Sequence, residues 1–143
     1  MIRSLLQPPP QSVRASVGLL LLRLFCGYAF MVHGWGKIQH PFSWMGPEAA
    51  TPGVLQALAA LSEFGGGLAW ILGLLTPLAS LGLACTMGVA VWTHLTAFHH
   101  PIIATGPGGS AEPAAVYLCV ALVLLLAGPG RGSVDRLLFR DKP

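Results

Sequence analysis

Hydrophobic positions in this chain gather into four runs that are apolar on nearly every residue, separated by stretches where Gly, Pro and polar residues collect. Such runs fit neither the alternation of a half-buried strand nor the narrow stripe of a surface helix, and they approach the roughly 20 residues that cross a bilayer. They are predicted as helices over about residues 17–35, 54–75, 78–98 and 114–127. Pro8, Pro9 and Pro10 keep the start of the chain irregular. The first run is interrupted by Arg23 and lacks a small-residue cleavage site, so it reads as a retained span and not a signal peptide. Two polar connections follow, GKIQHPFSWMGPEAATPG at 36–53 and HHPIIATGPGGSAEP at 99–113, while Pro77 makes the turn between the second and third runs tight. The expected fold is all-α, an integral membrane four-helix bundle: a tail over 1–16, a membrane domain over 17–128 and a basic tail over 129–143. The fourth run is short for a span unless its helix begins inside the preceding loop.

Composition supports the membrane reading. Hydrophobic residues make up 54% of the chain and charged ones 9%, with a mean hydropathy of +0.69, against about 25% charged in a soluble domain. The net charge of +3 is not organised into a stripe, which argues against a nucleic-acid partner. Arg3, Arg14, Arg131, Arg136, Arg140 and Lys142 lie towards the two ends, whereas the two long loops hold only Lys37. By the positive-inside rule both termini are expected in the cytoplasm, which requires an even number of crossings, and the loops bearing His40 and His100 face outside.

Ionisable residues inside the runs stand out because a charge at bilayer depth is expensive and needs a partner. Glu63 sits beside Gly65, Gly66 and Gly67 in LSEFGGGLAWILGLLTP. On the first run, Arg23, Gly27, Phe30, Gly34 and Lys37 share one helical face, where small residues admit a second helix at close range. At 1.5 Å per residue, Arg23 and Glu63 differ in depth by roughly 8 Å, which an Arg side chain nearly closes. They are therefore expected to pair. Two uses stand open, a structural lock or a protonatable Glu63 serving chemistry.

A second group lies towards the outer side. His33 and His94 share a depth, Lys37 follows His33 by one turn, and Trp35 and Trp44 suit a membrane interface. Imidazole and ammonium donors could hold a polar ligand head and pass a proton. His33, Trp35, Lys37, Trp70 and His94 are the candidate ligand-binding residues, with Trp70 on the Glu63 face nearer the inner side. No close-spaced histidine pair has the spacing of a helical metal motif, so no metal site is expected. Cys26, Cys85 and Cys119 fall in three different runs without a C-x-x-C and read as small apolar packers. No phosphate loop, nucleophile elbow or haem attachment motif is present.

RLFCGYAFMVHGWGKI at 23–38, LSEFGGGLAWILGLLTPLAS at 61–80, the Met87 and His94 span, and GPGRGSVDRLL at 128–138 together resemble the DoxX family of small four-helix membrane proteins. The resemblance implies a multi-pass protein of the bacterial cytoplasmic membrane, with relatives that include the membrane subunit of thiosulfate:quinone oxidoreductase. It does not fix a reaction, since fold alone does not imply function. One expectation is a redox-associated subunit that binds a quinone or similar apolar ligand within the bundle, with Arg23 and Glu63 as a proton-coupled pair and a redox partner protein supplying any further cofactor. The other is a non-catalytic anchor or accessory subunit of a larger complex, with homo-oligomerisation as a further option; a small-solute carrier is less favoured, because no inverted repeat or broken helix shows.

Overall fold

A computed structural model describes residues 11–139, so the triple proline, Arg3, Arg140 and Lys142 lie outside the described residues. Among the described residues all regular structure is helical. The helices are α1 (Val13–Gln39), α2 (Gly53–Leu72), α3 (Thr76–Thr96), α4 (Glu112–Ala127) and the short α5 (Val134–Phe139). The first three are long and apolar enough to cross a membrane, whereas α4 has 16 residues. That is about 24 Å at 1.5 Å per residue, against a hydrocarbon core of about 30 Å.

The helix limits follow from local chemistry. α1 begins four residues before the expected start because the Ser12 side chain accepts a hydrogen bond from Ala15 N at 3.1 Å and so caps the helix. α2 ends at Gly73, whose φ of +66° suits a residue without a Cβ, with Leu74 N bonded to Ala69 O and Gly73 N to Trp70 O. After only Leu74 and Leu75 α3 starts at Thr76, with Pro77 in its first turn. α4 begins two residues inside the expected loop, with Pro113 in its first turn.

α1 packs along α2, α2 along α3 and α3 along α4, while α4 meets α1 only briefly. The α1 and α2 contact is made by backbone on backbone. A Cβ placed on Gly27 would lie 2.7 Å from the Gly67 carbonyl oxygen, and one on Gly67 would lie 2.6 Å from that of Gly27. Two turns further along α1, Gly34 faces the Phe64 backbone equally closely. The expected face of α1 is thus the buried one: Arg23, Gly27, Phe30 and Gly34 are all buried on it. The core between the helices holds Leu19, Cys26, Phe30, Trp70, Leu83, Met87, Ala121 and Leu124, with the Phe30 ring edge-on to Trp70 and tilted against Tyr117. Cys26 is the packer that the sequence suggested, but Cys85 of α3 and Cys119 of α4 are exposed.

Candidate functional site

The close approach of α1 and α2 fixes an antiparallel register, and that register decides which charges meet. Opposite Gly27 stands Gly67, so Arg23, one turn nearer the start of α1, lies level with about Ile71, and its guanidinium reaches Gly73 at the end of α2. Glu63 is ten residues from Gly73, about 15 Å along the axis at 1.5 Å per residue. Side chains on a helix also lean towards its N-terminus, which carries the Arg23 guanidinium further from Glu63. The expected Arg23 and Glu63 pair is therefore not formed.

Arg23, 1% exposed, is instead bound by carbonyls. Its Nε donates to Trp70 O at 2.7 Å and its Nη2 to Ile71 O at 3.1 Å, while Nη1 donates to Pro129 O at 2.6 Å and Gly132 O at 3.0 Å. Two of these acceptors are among the final carbonyls of α2, which have no partner within the helix and carry its negative dipole end. Asp135 completes the arrangement. Its Oδ1 accepts from Leu75 N at 2.6 Å and its Oδ2 from Thr76 N at 2.8 Å, placing a carboxylate on the positive end of α3. Its own backbone N–H donates to Gly73 O at 2.8 Å. Leu75 is held at φ +48°, a conformation a branched residue adopts at a cost of about 1 kcal/mol or more. The start of the stretch read as a basic tail is thus stitched to the α2–α3 turn through Arg23 and Asp135.

Glu63, almost fully buried, finds Lys37. The Lys37 Nζ donates to Oε1 at 2.6 Å and Oε2 at 2.7 Å, and it lies 4.6 Å from the centre of the Trp44 ring. Trp44 belongs to the first long loop and donates through Nε1 to Gln56 O at 2.9 Å. Buried Gln56 spends its side chain on the same loop, accepting from Met45 N and donating to Thr51 O.

The remaining candidates are dispersed. His33 is exposed near α4, its ring 6.3 Å from Tyr117. Trp35 is exposed and rests against Phe64, whereas Trp70 is fully buried in the core, donating to Ser80 Oγ at 2.9 Å. His94 faces His100, with their Nδ1 atoms 3.0 Å apart. The structure therefore does not bring His33, Trp35, Lys37, Trp70 and His94 into one pocket. Among the described residues no group of three or more His, Cys, Asp or Glu could hold a metal.

A different concavity is present where α1 and α4 diverge. It has a volume of about 470 Å³ and is lined by Leu22 of α1, by Val116, Cys119, Val120 and Val123 of α4, and by Ile102 and Ile103 of the second long loop, with Glu112 at one end. From Glu112 to Val123 is eleven residues of α4, about 16 Å at 1.5 Å per residue. Sequence reasoning missed this groove, because α4 is apolar all round and no periodicity marks one side of it. It also missed Asp135, whose signal was a lone acid amid the bases of GRGSVDRLLFR, and His100, whose partner lies six residues back across a helix end.

The DoxX family model matches residues 18–100. An inner membrane protein of Escherichia coli (strain K12), YqjF, is 36% identical over 130 residues, spanning 85% of this chain and 92% of the relative. No solved structure matches.

Proposed function

The chain belongs to the DoxX family and is a multi-pass membrane protein, and from that premise we propose that it binds a long, flat apolar ligand of the quinone class in the groove between α1 and α4, acting as a redox-associated subunit of the cytoplasmic membrane. The observation that carries this reading is the groove itself. Its volume lies within the range of small-molecule sites, about 300–1,000 Å³, and its length suits a ring followed by part of an apolar tail. The walls are almost entirely hydrocarbon, with one carboxylate, Glu112, at the end where a polar head would sit. Lateral opening between two helices gives a membrane-dissolved ligand a path that avoids water.

The proposed topology supports the same reading. Arg14, Arg131 and Arg136 lie at the end of the molecule that carries the α2–α3 turn, and the opposite end carries Lys37, whose charge is taken up by Glu63. With that first end in the cytoplasm, and α4 as the fourth crossing of a bundle, the Glu112 end of the groove lies at the outer surface. The name of the relative places YqjF in an inner membrane, which agrees with this location.

A second reading, a non-catalytic anchor for a larger complex, is favoured by one observation: Arg23, Glu63 and Asp135, the buried charges, are all occupied by contacts that hold the fold. The two readings separate in a binding experiment on the purified protein with a short-tailed ubiquinone analogue, comparing wild type with Val120→Trp, which fills the groove from its α4 side. The ligand reading expects saturable binding that is lost in Val120→Trp and kept in His33→Ala. No saturable binding, or equal affinity in Val120→Trp, leaves the anchor reading.

A further inference from the structure

The second long loop supplies Ile102 and Ile103 to the groove, and it is tied down immediately before them. His100 N donates to His94 O at 2.9 Å, the two imidazoles meet at their Nδ1 atoms at 3.0 Å, and the Phe98 ring lies against both. On the far arm, Gly109 leaves no room for a Cβ against the His100 ring, and Ala111 N donates to Pro101 O at 3.0 Å. His100 is thereby gripped between both arms of the loop and α3. Ile102 and Ile103, each more than 60% exposed, are kept at the groove by this grip and by little else.

An Nδ1 to Nδ1 contact at that distance admits only one proton between the two nitrogens. One ring donates its Nδ1–H and the other accepts on its Nδ1 lone pair. The donor ring can take a second proton on its Nε2, which has no partner among the described residues, and the contact survives. The acceptor ring can be protonated only on the nitrogen that is accepting, so its protonation sets two N–H groups and two positive charges against each other. Among the described residues no carboxylate stands within ion-pair distance of either ring to absorb that charge. On α3, the 97–111 loop and α4 the other titratable groups are Cys85, His99, Glu112, Tyr117 and Cys119, of which His99 is exposed beside the pair.

We infer that His94 and His100 form a proton-operated latch on the 97–111 loop, holding Ile102 and Ile103 over the groove when at most one proton is added to the pair and releasing them when both rings are charged. Charging both rings requires protons from solution, so the latch opens on acidification. If the loop faces outside, external pH regulates access to the Glu112 end of the groove. This consequence rests on the ligand reading above, whereas the latch does not.

The test follows amide hydrogen exchange of peptides covering 97–111 in the intact purified protein between about pH 7.5 and pH 5, corrected for the intrinsic pH dependence of exchange. In the wild type, corrected protection falls on acidification by up to about tenfold per pH unit through the transition, as a one-proton equilibrium requires. In His100→Asn and in His94→Asn the pH step disappears, while protection of the α1–α2 core is unchanged and reports that the variants are folded. A spin label at Ile103→Cys, in a background with Cys85 and Cys119 replaced by Ser, should gain mobility over the same range. Flat protection in the wild type, or a step that persists in both single variants, overturns the latch. Alkylation of Cys119 in the presence of the short-tailed ubiquinone analogue at both pH values then addresses the gate. Faster entry of the analogue at low pH supports gating, entry at equal rates while the loop opens overturns gating alone, and absence of any protection while the loop opens refutes the ligand reading and leaves the latch standing.

Discussion

Asp135→Ala isolates the clamp on the α2–α3 turn, because the carboxylate is completely buried and makes two bonds to backbone N–H groups at the start of α3. Each charge-assisted bond contributes about 1.5–3 kcal/mol, and losing both is offset in part because a carboxylate no longer has to be desolvated. The net expectation is about 3 kcal/mol of destabilisation. Asp135→Asn keeps one acceptor and should cost about half as much. For a chain of this size about 2–4 °C accompanies each kcal/mol, so Asp135→Ala should lower Tm in mild detergent by about 6–12 °C. Tryptophan fluorescence is a suitable monitor, since Trp70 is fully buried beside the turn. A local readout accompanies it: release of the α5 segment should speed tryptic cleavage after half-buried Arg136. A Tm within about a degree of wild type, with unchanged cleavage, would refute the reasoning from cap geometry.

Lys37→Met strands a buried carboxylate and should destabilise by about 3 kcal/mol or somewhat less, because Lys37 is partly exposed, whereas Lys37→Met with Glu63→Leu should recover most of the loss; Tm values across the double-mutant cycle check this, and additive losses would exclude the pairing. The same cycle on Arg23→Gln and Glu63→Gln should be additive, since Arg23 is held at the C-terminal end of α2 and Glu63 is paired with Lys37 near its middle. Gly27→Ala should force α1 from α2 and cost about 2 kcal/mol or more, while Gly88→Ala, with open space around its Cβ position, should be neutral or slightly stabilising by the same Tm assay. Thr76→Val removes a buried hydroxyl that has no hydrogen-bond partner among the described residues and should raise stability by up to about 1 kcal/mol, read as an increase in Tm.

The helices α1 to α4 were legible in the sequence because each is an apolar run closed by Gly, Pro or a polar cluster, whereas the short α5 lay within the stretch read as a basic tail. The tight turn at Pro77 and the small-residue face of α1 could be read for the same reason: they depend on neighbours in the chain. The partners of the charges were not legible. Depth counted from run ends placed Arg23 and Glu63 about 8 Å apart, but the register set by Gly27, Gly34 and Gly67 separates them by nearly twice that distance. Asp135 and the His94–His100 contact depend on chain returns, one across sixty residues and one around a helix end, which no helical periodicity encodes. The groove exists because α4 is short and diverges from α1, a packing outcome that uniform hydrophobicity conceals.

Cys119 lies in the groove and Cys85 is exposed on α3 away from it, so the protein carries its own probe and its own control. Alkylation of both thiols in the purified protein, followed by mass mapping with and without the short-tailed ubiquinone analogue, should show Cys119 protected in a saturable manner and Cys85 labelled at an unchanged rate. Equal labelling of the two with and without the analogue would contradict a ligand site between α1 and α4.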